Sequence, residues 1–87
     1  MKRKQGFIVR TVAGKNVAVA VGNASKEFHG MITLNETGLF IWNKLETDTT
    51  EENIVSALMS DYEVDEETAK NDVHRVIEAL KNVGIIS

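Results

Sequence analysis

A chain of 87 residues, 43% hydrophobic and 26% charged, is enough for one folded domain, but at this size only about two thirds of the unfolded surface is buried, leaving room for a core and a shallow groove. Ligand pockets of about 300–1,000 Å³ need walls on most sides, so an enzyme built round a large cofactor is disfavoured and no cofactor is expected. Cysteine is absent, which removes disulfide frameworks and thiolate metal sites and suits a reducing cytoplasm.

The net charge of −3 conceals a partition: residues 1–30 hold six Lys/Arg against Glu27 alone, whereas residues 31–87 hold four against twelve Asp/Glu. Solvated faces are the simpler reading, and an electrostatic guide for a charged partner is the functional one. The basic start Met1-Lys2-Arg3-Lys4 runs into alternating polar and apolar residues, so neither a signal peptide nor a membrane span is expected. Residues 1–5 read as a loose solubilising tail.

Gly6 to Val12 and Val17 to Val21 are rich in β-branched residues, and the cluster Ala13-Gly14-Lys15-Asn16 between them predicts an antiparallel hairpin. Val17, Val19 and Val21 alternate with Ala18 and Ala20, so one face is bulky and the other smooth. Gly22 to Lys26 reads as a loop. Phe28 to Leu34 then supplies a third strand, in a sheet that the remaining chain can cover on one face only. Asn35 caps a helix running to Leu45, with Phe40, Ile41, Trp42 and Leu45 as its apolar stripe and both Phe40 and Trp42 assigned to the core. Thr49-Thr50-Glu51-Glu52 reads as a capping box for a second helix carrying Ile54, Leu58 and Tyr62 at four-residue spacing. Asp65 caps the third and longest, with Ala69, Val73, Val76, Ile77 and Leu80 on one face. Gly84 should end it and turn Ile85 and Ile86 back to the core. With no linker or repeat, residues 1–87 read as one α+β domain: a three-stranded antiparallel sheet followed by three helices, the last two joined by Tyr62-Glu63-Val64 as a helix-turn-helix element.

Catalytic chemistry has little to stand on. His29 and His74 lack a nearby motif that would supply an orienting carboxylate or a nucleophile, and both are expected at the surface. No spacing suggests a metal site, and the glycines form no phosphate cradle. The helix-turn-helix element raises DNA binding, but a recognition helix must offer cations to phosphate. Here Lys70, Arg75 and Lys81 are opposed by Glu66, Glu67, Asp72 and Glu78. Neither nucleic acid nor membrane is an expected partner.

An exposed strand edge has unpaired backbone groups that an extended peptide can satisfy by adding a strand. Gly30 within the third strand marks either a bulge or the close approach of another backbone. A second copy of the chain could pair at the same edge, leaving oligomeric state open. A purely structural interaction module is the remaining alternative.

The run Gly30-Met31-Ile32-Thr33-Leu34-Asn35-Glu36-Thr37-Gly38, followed by Phe40 and Trp42 and later by Asp65, Ala69, Asp72 and Val73, resembles the PqqD family, small peptide-binding proteins with a winged-helix-like fold. The resemblance spans the chain from about Gly6 onward. It implies a non-catalytic recognition element that binds the leader of a ribosomally made precursor peptide and presents it to a modifying enzyme of the radical-SAM class. The surface it implies is Phe28, His29, Gly30, Met31, Ile32 and Thr33 on the third strand, with Asp72, Arg75, Val76 and Ala79 on the adjoining flank of the last helix. Arg75 and Asp72 would select by charge, and Val76 would either line an apolar pocket or pack in the core. His29 stands where the family pattern has asparagine.

Overall fold

The computed structural model describes residues 1–22, 24–27 and 31–86. Its elements are β1(Phe7–Val12), β2(Lys15–Ala20), α1(Ala24–Glu27), β3(Met31–Leu34), α2(Glu36–Lys44), α3(Glu51–Asp61) and α4(Glu66–Asn82). The strands lie in the order β1-β2-β3, antiparallel throughout. This is the expected α+β architecture, with three helices after the last strand. The expected beginning of that strand, Phe28 to Gly30, lies outside the described residues.

The hairpin is tighter than its four-residue turn cluster suggests. Val12 pairs with Lys15, so only Ala13 and Gly14 turn the chain, at φ 53° and 78°. Positive φ at both central positions is the type I′ geometry, whose twist matches that of the strands. An alanine there holds its β-carbon in the left-handed region, at a cost of about 1–2 kcal/mol. Ala13→Asn should therefore raise stability by about 0.5–1 kcal/mol, read as a higher urea midpoint at unchanged slope. An unchanged midpoint would mean that the turn carries no such strain. The second local difference is α1, a single helical turn where a loop is expected. The Ser25 hydroxyl and N–H both donate to the Gly22 carbonyl, at 2.6 and 3.2 Å. One turn held by local bonds leaves no hydrophobic period to read.

Alternation along the strands decides which face meets the helices. Phe7, Val9, Ala18, Ile32 and Leu34 pack on the core, while Ile8, Val12 and Met31 are exposed. The sheet is thus covered on one face. Trp42 is buried, as expected, among Ile41, Leu45, Ile54, Leu58, Val73, Ile77, Leu80 and the returning Ile85 and Ile86. Phe40 departs from its core assignment. It is half-buried, meets Tyr62 edge-on at 5.5 Å and lies under the Lys44 ammonium at 5.2 Å, so it flanks the core from the rim.

Each long helix starts on a side-chain cap. The Asn35 side chain accepts from the Gly38 N–H at 2.7 Å. A β-carbon on Gly38 would stand 3.1 Å from Asn35 Oδ1 and 3.5 Å from Leu34 Cδ2, so glycine lets strand, cap and helix close on one another. Thr50, one residue beyond the expected capping threonine, accepts from the Asn53 N–H at 3.1 Å. The third helical position is therefore asparagine, and Glu51 and Glu52 serve the first turn through the helix dipole.

Asp65 caps α4 through the Thr68 N–H at 2.8 Å. Hydrogen bonds from the Thr68 side chain and backbone hold the Asp65 carboxyl below its ordinary value of 3.8. A lowered folded-state value stabilises the protein above the unfolded value, and this stabilisation is lost as pH falls through the folded one. Asp65→Ala should lower the denaturation midpoint at neutral pH, with the gap from the parent closing as the pH drops below about 4. A constant gap down to low pH would show that the carboxylate is not what caps the helix.

Residues 1–5, for which the sequence suggests a tail, are in contact with the body. Arg3 and Lys4 donate backbone N–H groups to the Leu45 and Ile85 carbonyls at 3.0 and 2.8 Å. Arg3 also donates its Nε to the Trp42 carbonyl at 3.1 Å and lies 4.7 Å from the centre of the Trp42 ring. The returning C-terminal isoleucines supply the pairing surface, since Arg3 bridges to Ile86.

Candidate functional site

β3 ends the sheet, so its edge away from β2 has no strand partner among the described residues. Along that edge runs a groove of about 460 Å³, lined on one side by Ile32, Thr33 and Leu34 and on the other by Arg75, Val76, Ala79 and Leu80 of α4. Asn35 and Gly38 line it where the chain turns into α2.

The groove owes its walls to two periodicities. In β3 only alternate side chains face the helices, which turns Ile32 and Leu34 inward and leaves Met31 on the open face, 66% exposed. In α4, positions 75, 76, 79 and 80 fall on one flank by three- and four-residue spacing, one row round from the buried stripe of Ala69, Val73 and Ile77. Val76, left open between core and pocket by the sequence, does both: it is half-buried against the core cluster and lines the groove. Ala79 is exposed and small, so a backbone could come close to the helix there.

Of the ten residues singled out from the sequence, Ile32, Thr33, Arg75, Val76 and Ala79 line this groove. Met31 belongs to the same strand but faces away. Asp72 stands behind the groove, its Oδ1 accepting from the Arg75 guanidinium at 3.0 Å. The pair lies at the groove's edge with most of the Arg75 side chain exposed. Phe28, His29 and Gly30 lie outside the described residues. The sequence reading missed Leu34, Asn35, Gly38 and Leu80. Asn35 and Gly38 were legible as a cap directly after the strand, because a helix that starts at a strand's end must close one end of any groove along it. Leu34 and Leu80 gave no signal beyond their core pattern.

The arrangement offers an unpaired backbone edge, an apolar wall and one cation. Among the described residues no group of three His, Cys, Asp or Glu side chains could hold a metal ion, and no helix is long and apolar enough to cross a membrane.

Known proteins extend these observations. The chain is similar to the solved structure described as "TbiB1 in Complex with the TbiA(beta) Leader Peptide", with a TM-score of 0.73 at 25% identity over 98% of this chain and 93% of that one. It shares its fold with "Lasso peptide synthetase B1 complexed with the leader peptide", with a TM-score of 0.71 at 21% identity over 97% and 93% of the two chains. No curated protein matches. Residues 17–86, from β2 through the returning C-terminus, match the family described as Coenzyme PQQ synthesis protein D (PqqD). The chain belongs to the PqqD family.

Proposed function

We propose that residues 1–87 act as one non-catalytic peptide chaperone. It holds the leader of a ribosomally made precursor as an added strand along β3 and presents it to a modifying enzyme, of the radical-SAM class, in the cytoplasm. The observation that carries this reading is the free edge of β3 lying open along the Val76–Ala79 flank of α4. Main-chain hydrogen bonds on such an edge supply affinity, while the apolar wall and Arg75 read alternate side chains. Similarity to a protein described in complex with a leader peptide supports the same reading. Holding the leader makes the later modification quasi-intramolecular, which raises effective concentration without any catalytic group.

DNA binding has weaker support. On α4, Lys70, Arg75 and Lys81 are outnumbered by Glu66, Glu67, Asp72 and Glu78, so the helix offers phosphate no net positive face.

The test is to select binders from a displayed library of random extended peptides and titrate the best one into isotope-labelled protein. Amides of β3 and of Asp72 to Leu80 should shift most, with α2 beyond Gly38 quiet. Shifts confined to the β1–β2 hairpin would move the binding edge to the other side of the sheet, and concentration-dependent shifts at β3 without peptide would assign that edge to a second copy. Arg75→Glu should weaken an acidic selected peptide by about tenfold, because the new carboxylate repels both the peptide and Asp72. An effect below about twofold would leave Arg75 a solvated surface pair.

A further inference from the structure

On the other side of α4 a second groove, of about 680 Å³, runs between α3 and α4. Val55 and Met59 form its apolar part, and Met59 is 39% exposed although nothing in the chain's own packing calls for a bare methionine there. Glu51, Glu52 and Glu66 stand around it. The lysine, arginine and histidine along it each have a carboxylate partner within the chain. Lys70 is 2.8 Å from Glu66, Arg75 is 3.0 Å from Asp72, and His74 lies 3.4 Å from Glu51 and 4.0 Å from Glu78. Glu52 takes part in no ion pair among the described residues. A trough between two helices with the exposed Met59 on its floor and the unpaired Glu52 carboxylate on its rim is complementary to an amphipathic helix that carries cations beside its apolar stripe.

We propose that this groove docks the modifying enzyme through a basic amphipathic helix, whose apolar stripe rests on Val55 and Met59 and whose cations meet Glu51 and Glu52. The inference rests on the peptide-presenting function proposed above. α4 is the wall common to both grooves, and Arg75 lines both. Peptide and enzyme would then sit on opposite flanks of one helix, about 10 Å across, close enough for the tethered substrate to gain effective concentration. The leader is the poorer occupant, because two helices offer no free backbone edge. A second copy of this chain fits badly as well. Five of its six basic residues within positions 1–30 lie in the terminal segment or on β1 and β2, and on α4 Lys70 and Arg75 are held by carboxylates.

A synthetic helical peptide of about 18 residues, with leucine on one face and lysine beside it, is the probe. Titrated into labelled protein, it should produce saturable amide shifts over Glu51–Met59 and Glu66–Arg75, weakening with added salt. The shifts should persist when the β3 groove is filled by the library-selected peptide. Glu52→Lys and Met59→Lys lie on exposed positions and should leave the selected-peptide affinity unchanged and lower the melting temperature by only a few degrees, since Glu52 gives up its place in the α3 first turn, while together they weaken the helical probe by about tenfold or more. Non-saturating shifts spread over Glu46, Asp61 and Glu63 would overturn the proposal, as would displacement of the probe by the β3 peptide. Groove amides that shift with protein concentration alone would overturn it in favour of a second copy. None of these outcomes alters the separate β3 titration, so failure here is distinguishable from failure of the peptide-presenting function.

Discussion

Trp42→Ala is expected to unfold much of the population near body temperature. The indole is 1% exposed, stands edge-on to Phe7 at 5.8 Å and supports the Arg3 guanidinium at 4.7 Å. Its removal therefore opens a cavity where sheet, α2 and the amino-terminal segment meet. Truncating a buried tryptophan costs about 3–5 kcal/mol, against a total stability of about 5–15 kcal/mol for a domain of ordinary size. Thermal melting followed by circular dichroism is the direct measurement. A variant that melted like the parent yet lost peptide binding would place Trp42 at a ligand surface rather than in the core.

Ala79→Trp is the corresponding change for binding. Ala79 is exposed on the groove flank of α4, so the new ring can be accommodated without entering the core, and tryptophan costs an exposed helix position only about 0.5 kcal/mol. In the groove it would fill the space that an added strand needs beside Val76 and Ile32. Loss of about 2 kcal/mol or more in binding, roughly thirtyfold, is expected for the library-selected peptide. Calorimetric titration of parent, Ala79→Trp and the control Asn82→Trp measures it. Equal affinity for all three would move the ligand away from α4.

The second result separates what α4 does on its different faces. Val73 and Ile77 are buried in the core, while Ala79 is exposed on the groove flank and is expected to control access to the edge of β3 at little cost in stability. Substitutions along α4 should therefore divide by position round the helix, and not by distance along it.

The sequence by itself determined the parts that depend on local spacing. Alternating valines and alanines specify β2, Asn35, Thr50 and Asp65 place three helix starts within a residue, and Gly84, at φ 82°, ends α4 where a left-handed residue is needed. Helical spacing also puts Asp72, Arg75, Val76 and Ala79 on one side of α4, whereas the choice of that flank as the site came from the family resemblance. The tertiary structure decided everything that needs two distant segments. It paired Val12 with Lys15 and so shortened the hairpin turn, because register belongs to both strands at once. It seated Arg3 and Lys4 on the Leu45 and Ile85 carbonyls, partners more than forty positions away. It turned Met31 away from the groove and closed the groove's end with Asn35 and Gly38. It also opened the trough between α3 and α4, which no single helix encodes, because a groove is the space left between two surfaces and appears only once both are in place.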